Sequence, residues 1–456
     1  MTRLSSILGL VAPIFMAATP ATALDMDFTD TTSRNEGLYL IAKGLMDYYT
    51  GNDTGQSPGM FSNPYYWWEA GAAWNSMLDY WFYTGNDTWN DVLKTSLLYQ
   101  IGDDWNYMPS NQTTTEGNDD QGFWGITVMA AAEKNFSNPS SEWPSWAYLA
   151  QAVFNTMAWR WDTTYCNGGL RWQIFTWNNG YNYKNTVSNG CLFHMAARLA
   201  RYTSNETYVQ WAEKVWDWVT DVGYINTSSS TAWPVYDGGY ISDNCTDVSN
   251  LEWTYNSGLF IAGAAYLYNH TGDQKWLTRL ESVWGRSKVF FMANTNVMYE
   301  AACQPTLRCN NDQRSFKAIF SRFLGLASLM APPLNDEIQS YLSASTPYVL
   351  QSCSGGSDGH TCGLDWSYSG WDGYYGLGEQ MSALEVLLNR LVWTKPGPLT
   401  LTSGATSEQN SSAGSSLTTA TVSNDIVVES KDRIGAGFIT AFVLILLLIS
   451  AWWMII

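Results

Sequence analysis

The sequence predicts an all-α fold, an (α/α)6 barrel in which six helical hairpins close into a toroid. Helical periodicity dominates residues 24–395 while strand alternation is scarce, a short turn phrase recurs, and small-residue helices alternate with charged ones.

Twelve helices are read, near 33–49, 64–83, 87–101, 119–134, 144–161, 189–202, 205–221, 253–269, 273–290, 313–329, 335–351 and 376–392. TGNDTW at 84–89 recurs as TSNETY at 203–208 and TGDQKW at 271–276. In each copy Gly or Ser ends one helix, Asn or Asp caps the next and the aromatic packs inward, which makes a helical-hairpin turn. Thr50, which opens a partial copy, lies 34 residues before Thr84, and Thr203 to Thr271 is twice that. That period suits stacked hairpins, either an open solenoid or a closed ring. The first helix departs from the rule, since its TGND precedes a long loop.

The even helices favour the ring. They carry EAGAAW, VMAAAE, HMAARLA and FIAGAAYLY, whose small side chains let helices crowd a central axis. Odd helices such as YVQWAEKVWDWV carry more charge and form an outer layer. Loops from odd to even helices are long and polar and several of the others are short, so function is expected at one end.

The flanks read differently. Residues 1–23, with Arg3, an apolar stretch and Ala21-Thr22-Ala23, form a secretory signal. Residues 396–423 are a Ser/Thr-rich stalk with too little apolar surface for a core. Residues 424–456 are a GPI-attachment signal: small residues at Ser423-Asn424-Asp425, a polar spacer, then an apolar tail of membrane-spanning length. A transmembrane helix would be followed by Lys or Arg, and none follows Ile456. The expected location is the outer face of the plasma membrane or the cell wall, reached by secretion, as a monomer held to the membrane by GPI. Nine Asn-x-Ser/Thr sequons suit that route.

Of seven cysteines, Cys303 with Cys309 and Cys353 with Cys362 are the local pairs. One of Cys166, Cys191 and Cys245 stays over, and Cys191, in an apolar helical run, is read as a buried thiol. No spacing resembles a zinc site, so neither metal nor cofactor is expected. A net charge of −18 excludes nucleic acid and anionic lipid as partners, and three histidines leave catalysis to acids.

Those acids are Asp119 and Asp120 in TEGNDDQGFWG, where a long loop enters the fourth helix. The plain reading is a capped helix with an acidic first turn. Two neighbouring carboxylates also raise each other's pKa, so one keeps its proton while the other ionises, the division that glycoside hydrolysis needs. The 25 Trp and 27 Tyr, among them Trp172 and Trp177 in a long loop, suit stacking on sugar rings, although any single one also suits core packing.

Six stretches carry a resemblance: NPYYWWEAGAAW (63–74), GNDDQGFWG (117–125), YKNTVSNG (183–190), WTYNSG (253–258), RSFKAIFSRFLG (314–325) and GLGEQMSALEVL (376–387). Together they resemble glycoside hydrolase family 76, the endo-α-1,6-mannanases, and closely its fungal GPI-anchored cell-wall branch. The resemblance implies a retaining mechanism with Asp119 as nucleophile and Asp120 as acid/base. It also implies a substrate in the α-mannose core of GPI glycans or mannan, and transfer of GPI-anchored proteins to a β-glucan acceptor. The same stretches supply the candidate substrate-binding residues Trp67, Trp68, Asn118, Gln121, Trp124, Asn185, Asn189, Tyr255, Asn256, Lys317 and Arg322. Lys317 and Arg322 either meet phosphate on a GPI core or pair with core acids. Hydrolysis and transfer share every step up to the glycosyl-enzyme, and the rival reading is a mannan-binding wall protein without turnover.

Overall fold

The structure, a computed structural model, describes residues 24–112, 115–415 and 430–455. The expected signal sequence and GPI-attachment residues lie outside the described residues. The helices are α1 (Thr31–Met46), α2 (Trp67–Thr84), α3 (Asn90–Tyr99), α4 (Asn118–Glu133), α5 (Trp146–Trp159), α6 (Thr186–Thr203), α7 (Glu206–Asp221), α8 (Thr254–Thr271), α9 (Gln274–Ser287), α10 (Asn311–Met330), α11 (Asn335–Ser352), α12 (Leu377–Leu388) and α13 (Ser430–Ile455).

Each even helix from α2 to α12 packs on the next, and α12 returns to α2, which closes the ring. The odd helices α1 to α11 lie outside it. Burial follows the sequence pattern: every residue of α4 except Asp120 is buried, whereas α9 buries one stripe, chiefly Trp276, Leu280, Val283 and Trp284. Inner helices meet closely because their small residues permit it. A Cβ on Gly125 would lie 2.6 Å from Val153 Cγ1 on α5 and 2.7 Å from Met195 Sδ on α6.

The recurring turn phrase folds as one device. Gly85, Ser204 and Gly272 take left-handed φ values of 77°, 56° and 68°, ending α2, α6 and α8. Thr84, Thr203 and Thr271 then accept the N–H two residues on at 3.1, 3.2 and 3.1 Å. The partial copy behaves otherwise, because α1 stops at Met46 and Thr50 lies in the following loop.

Charges inside the ring tie the inner helices together. Asp79 of α2 bonds Lys134 at 2.5 Å and Arg322 of α10 at 3.2 Å, and Arg322 reaches Glu385 of α12 at 2.6 Å. Arg198 of α6 pairs with Glu133 of α4 at 2.5 Å. Buried charges persist only when paired in this way.

Three short strands escape the helical reading. β1 (Tyr183–Asn185), β2 (Tyr236–Tyr240) and β3 (Val248–Glu252) form an antiparallel sheet in that order. β1 delivers Asn185 to the start of α6 as its cap. Disulfides join Cys166 to Cys245, Cys303 to Cys309 and Cys353 to Cys362, leaving Cys191 as a buried thiol.

The expected boundary at residue 395 needs correction. Residues 399–415 lie on the body: Leu399 N–H donates to Glu133 O at 2.8 Å, and Ser407 and Ala413 are buried. Backbone and hydroxyl hydrogen bonds seat this strap, so its lack of apolar side chains does not release it. Within α13, Arg433–Ser450 is long and apolar enough to cross a membrane.

Candidate active site

The inner helices begin at the end that carries the long loops, so their N-termini and positive dipole ends meet at one mouth. Gly117 caps α4, which makes Asp119 and Asp120 the second and third residues of the helix. Asp120 Oδ2 accepts the Gly117 N–H at 2.7 Å. Asp119 Oδ1 accepts the Asp120 N–H at 3.2 Å, and Asn185 Nδ2 donates to Asp119 Oδ2 at 3.4 Å.

A Cβ on Gly117 would stand under 3.0 Å from Asp119 Oδ1 and 3.4 Å from Asp120 Oδ2. Those two oxygens are therefore closer together than the ~6.5–9.5 Å that an inverting pair leaves for water.

Both aspartates line a cleft of about 400 Å³. Tyr66, Trp67 and Trp68 wall it at the start of α2, Gln112, Thr115 and Glu116 from the loop before α4, and Trp172 and Gln173 from the loop after α5. Phe123, Tyr255, Asp312 and Phe316 complete it. Tyr255 stacks on Phe316 at 3.8 Å, and Trp68 Nε1 donates to Asp312 Oδ1 at 3.0 Å. Asp119, Asp120 and Asp312 line this space, Glu116 does so with both carboxyl oxygens buried, and the lining includes neither Lys nor Arg.

Burial, then Asp120, pushes the Asp119 carboxyl well above the usual range, against the donors from Asp120 N–H and Asn185. Burial also pushes Asp120 up to about 6; the Gly117 N–H opposes this and Asp312 adds to it. Burial raises Glu116 too, with Arg160 pulling it down and Asp120 pushing it up. Two raised, neighbouring carboxyls lose their protons in two steps that belong to the pair, so between those steps the pair holds one proton.

The model of glycosyl hydrolase family 76 matches residues 33–402. The chain belongs to that family. It is 53% identical over 451 residues to the mannan endo-1,6-alpha-mannosidase DCW1 of Saccharomyces cerevisiae, covering 99% of each chain. It is 51% identical to DFG5 of the same organism, over 95% of this chain and 94% of that one. Among solved structures, Dfg5 from Chaetomium thermophilum in complex with glucosamine superposes with a TM-score of 0.81 at 39% identity, covering 86% of this chain and 99% of that one. An inactive variant of the alpha-1,6-mannanase of Salegentibacter sp., bound to alpha-1,6-mannotriose, shares the fold at TM-score 0.62 and 17% identity, over 78% of this chain and 99% of its own.

Membership of family 76 makes the chain a glycoside hydrolase, and its expected binding residues divide into two groups. Trp67, Trp68 and Tyr255 line the cleft, and Asn185 touches Asp119. The others stand behind it. Asn118 accepts Arg160 Nε at 2.7 Å and donates to Arg171 O at 2.9 Å, while Gln121 donates to Asn106 O at 2.7 Å. Trp124 is buried between Trp67 and Tyr107, with ring centroids 5.2 and 5.4 Å away. Asn189 exchanges hydrogen bonds with the Leu170 backbone at 2.8 and 3.1 Å, and Asn256 is fully buried.

Lys317 and Arg322 do not reach the cleft. Lys317 donates to Leu364 O at 2.5 Å and Gln304 Oε1 at 3.3 Å under the Trp366 ring, and Arg322 serves the core acids. Inner helices are buried on every side, so a residue two turns below the mouth meets the core, not the ligand.

Sequence reasoning missed Glu116, Asp312, Phe123 and Phe316. A signal existed for Asp312, which opens inner helix α10 as Asp119 opens α4. Among the described residues no cluster of His, Cys, Asp and Glu could hold a metal ion.

Proposed function

We propose that this chain cleaves α-1,6-mannosidic bonds with retention and passes the mannosyl group to a sugar hydroxyl or to water. The observation that carries the reading is the paired carboxyls over Gly117, too close for an inverting arrangement and set among stacked aromatics. Asp120 gives its proton to the glycosidic oxygen while Asp119 attacks the anomeric carbon, forming a covalent mannosyl-enzyme. Asp120, now a carboxylate, takes the proton of the incoming hydroxyl, and Asp119 leaves as carboxylate.

The names of the relatives, mannan endo-1,6-alpha-mannosidases, support the bond type. Three aspartates and no basic side chain lining the cleft suit a donor carrying a cationic amino sugar, and the Chaetomium relative was solved with glucosamine. The donor we favour is therefore the mannose core of a GPI glycan, with neutral mannan second. The acceptor is a cell-wall β-glucan, and the enzyme acts at the cell surface, held by a GPI anchor that replaces the apolar tail.

The test uses a fluorinated mannosyl fluoride that forms the glycosyl-enzyme but releases it slowly. Peptide mapping should place one mannosyl adduct on Asp119, and the Asp119→Asn protein should take none. An adduct on another residue, or steady cleavage of mannoside with inversion at the anomeric carbon, overturns the mechanism.

A further inference from the structure

Beside the catalytic cleft the mouth holds a second cavity of about 350 Å³. Residues 117–118 and 172–173, paired by backbone, stand at their shared edge. Asn118 N–H donates to Trp172 O at 2.8 Å, Gly117 pairs with Gln173 as an isolated bridge, and Gln173 lines both spaces. On the far side stand Trp159 and Tyr165, which are 56% and 42% exposed. The Arg171 guanidinium sits against two aromatic rings, 5.2 Å from the centre of Tyr165 and 4.4 Å from that of Tyr181.

The charges of this cavity are already engaged. Arg171 bonds Asp162 at 2.8 Å, and Asp162 also meets Lys184 at 3.4 Å. Lys184 spends its protons on the carbonyls of Asp162, Tyr165 and Gly168 at 2.8, 2.8 and 2.6 Å. Arg160 donates to Asn118 Oδ1, Gln121 Oε1 and Met108 Sδ. An anion would have to displace these bonds, and a cation would find Asp162 paired twice. What the cavity offers is exposed aromatic surface with amide, hydroxyl and carbonyl groups at its edge, a combination suited to a neutral, hydroxyl-rich ring.

We propose that this cavity is a subsite for the neutral oligosaccharide acceptor, separate from the donor cleft. It rests on the transfer reading given above. An acceptor held against Trp159 and Tyr165 reaches over Gln173, so that its terminal hydroxyl meets the mannosyl-Asp119 ester. The hydroxyl oxygen bonds to the anomeric carbon, its proton passes to Asp120, and the ester bond to Asp119 breaks to regenerate the carboxylate. Occupancy of the subsite keeps an alcohol, rather than water, beside the intermediate. Trp159→Ala removes exposed ring surface, and Tyr165→Ala also takes a ring from Arg171.

Binding is measured by calorimetry on full-chain Asp119→Asn protein, with laminaritriose as the glucan probe and α-1,6-mannotriose as the mannan probe. Either aromatic substitution should weaken laminaritriose by about tenfold and leave mannotriose unchanged. In the active enzyme the same substitutions should lower the ratio of transfer to hydrolysis by a similar factor at constant donor KM. Equal laminaritriose affinity in all proteins overturns the proposal. So does loss of mannotriose binding with a rise in donor KM, which would make the cavity an extension of the donor cleft. If no mannoside is cleaved yet laminaritriose binding still depends on Trp159, the subsite stands and the proposed reaction falls.

Discussion

Asn185 and Asp119 meet across 66 residues of chain, the amide Nδ2 of one lying 3.4 Å from Oδ2 of the other. Asn185 Oδ1 meanwhile accepts the Ser188 N–H at 3.2 Å, so one side chain caps α6 and steadies a carboxylate of α4. Asn185→Ala should lose about 1 kcal/mol of stability with the cap. It should lose about 1.5–3 kcal/mol of hydrogen bonding to charge, or roughly 10–100-fold in kcat/KM. Asn185→Asp keeps the cap and replaces the donor with a repelling charge. It should melt near the wild type and yet be slower than the alanine variant; an aspartate variant faster than alanine would show that Asn185 acts through the cap alone.

Gly117 is fixed by contact, not by backbone angle, since its φ of −94° suits any residue. Its missing Cβ leaves room for Asp119 Oδ1 and Asp120 Oδ2. Gly117→Ala should drive those oxygens from their places and cut kcat by at least about tenfold, with Tm and circular dichroism close to the wild type. Full activity in that variant would contradict the geometry.

In the proposed mechanism the pair must hold one proton, so kcat/KM should rise as pH climbs through about 6, where the first proton leaves, and fall again when the second leaves. Asp312 contributes to that value, and Asp312→Asn should move the rising limb to lower pH. The same shift acts on stability. The folded carboxyl sits near 6 and the unfolded one near 3.8, so below 3.8 both states hold the proton and nothing is lost. Stability declines as pH rises through that window, because the folded state must then bear a buried charge. Asp120→Asn should therefore be inactive yet melt higher than the wild type at pH 7, with the gap closing toward pH 4. Equal melting temperatures at both pH values would refute the shift.

The ring and the dyad were legible because their signals are local. Helical periodicity, the TGNDTW turns and the paired aspartates each occupy a few neighbouring residues. Asp312 was not, because its partner Trp68 lies 244 residues away and only closure of the ring joins them. Lys317 and Arg322 misled for a related reason: a helical wheel separates core from solvent, but an inner helix has no solvent face, and depth below the mouth decides which residues meet a ligand. The strands β1 to β3 span three to five residues each, too few for alternation to register.

The strap was the largest misreading, and it yields a prediction of its own. A Ser/Thr-rich segment lacks apolar area, yet here its polar atoms fit donors that the helices leave open. Ser407 Oγ accepts the Ala147 N–H at 2.8 Å, one of the unpaired first-turn groups of α5. Tyr202 Oη donates to Ser407 O at 2.8 Å, Gln151 Oε1 accepts the Asn410 N–H at 2.6 Å, and Asn155 Nδ2 donates to Ala413 O at 2.7 Å. Ending the chain at Lys395 strands all of these, and each buried group left without a partner costs about 1–3 kcal/mol. The shortened protein should melt several degrees lower. Its kcat should be nearly unchanged, because the strap starts at Glu133, the last residue of α4, and the dyad stands at the other end of that helix. Ser407, 1% exposed, should escape O-glycosylation while exposed Ser403 and Ser411 remain open to it. Glycan on Ser407 in the secreted protein, or an unchanged Tm on truncation, would return the segment to the role of a free stalk.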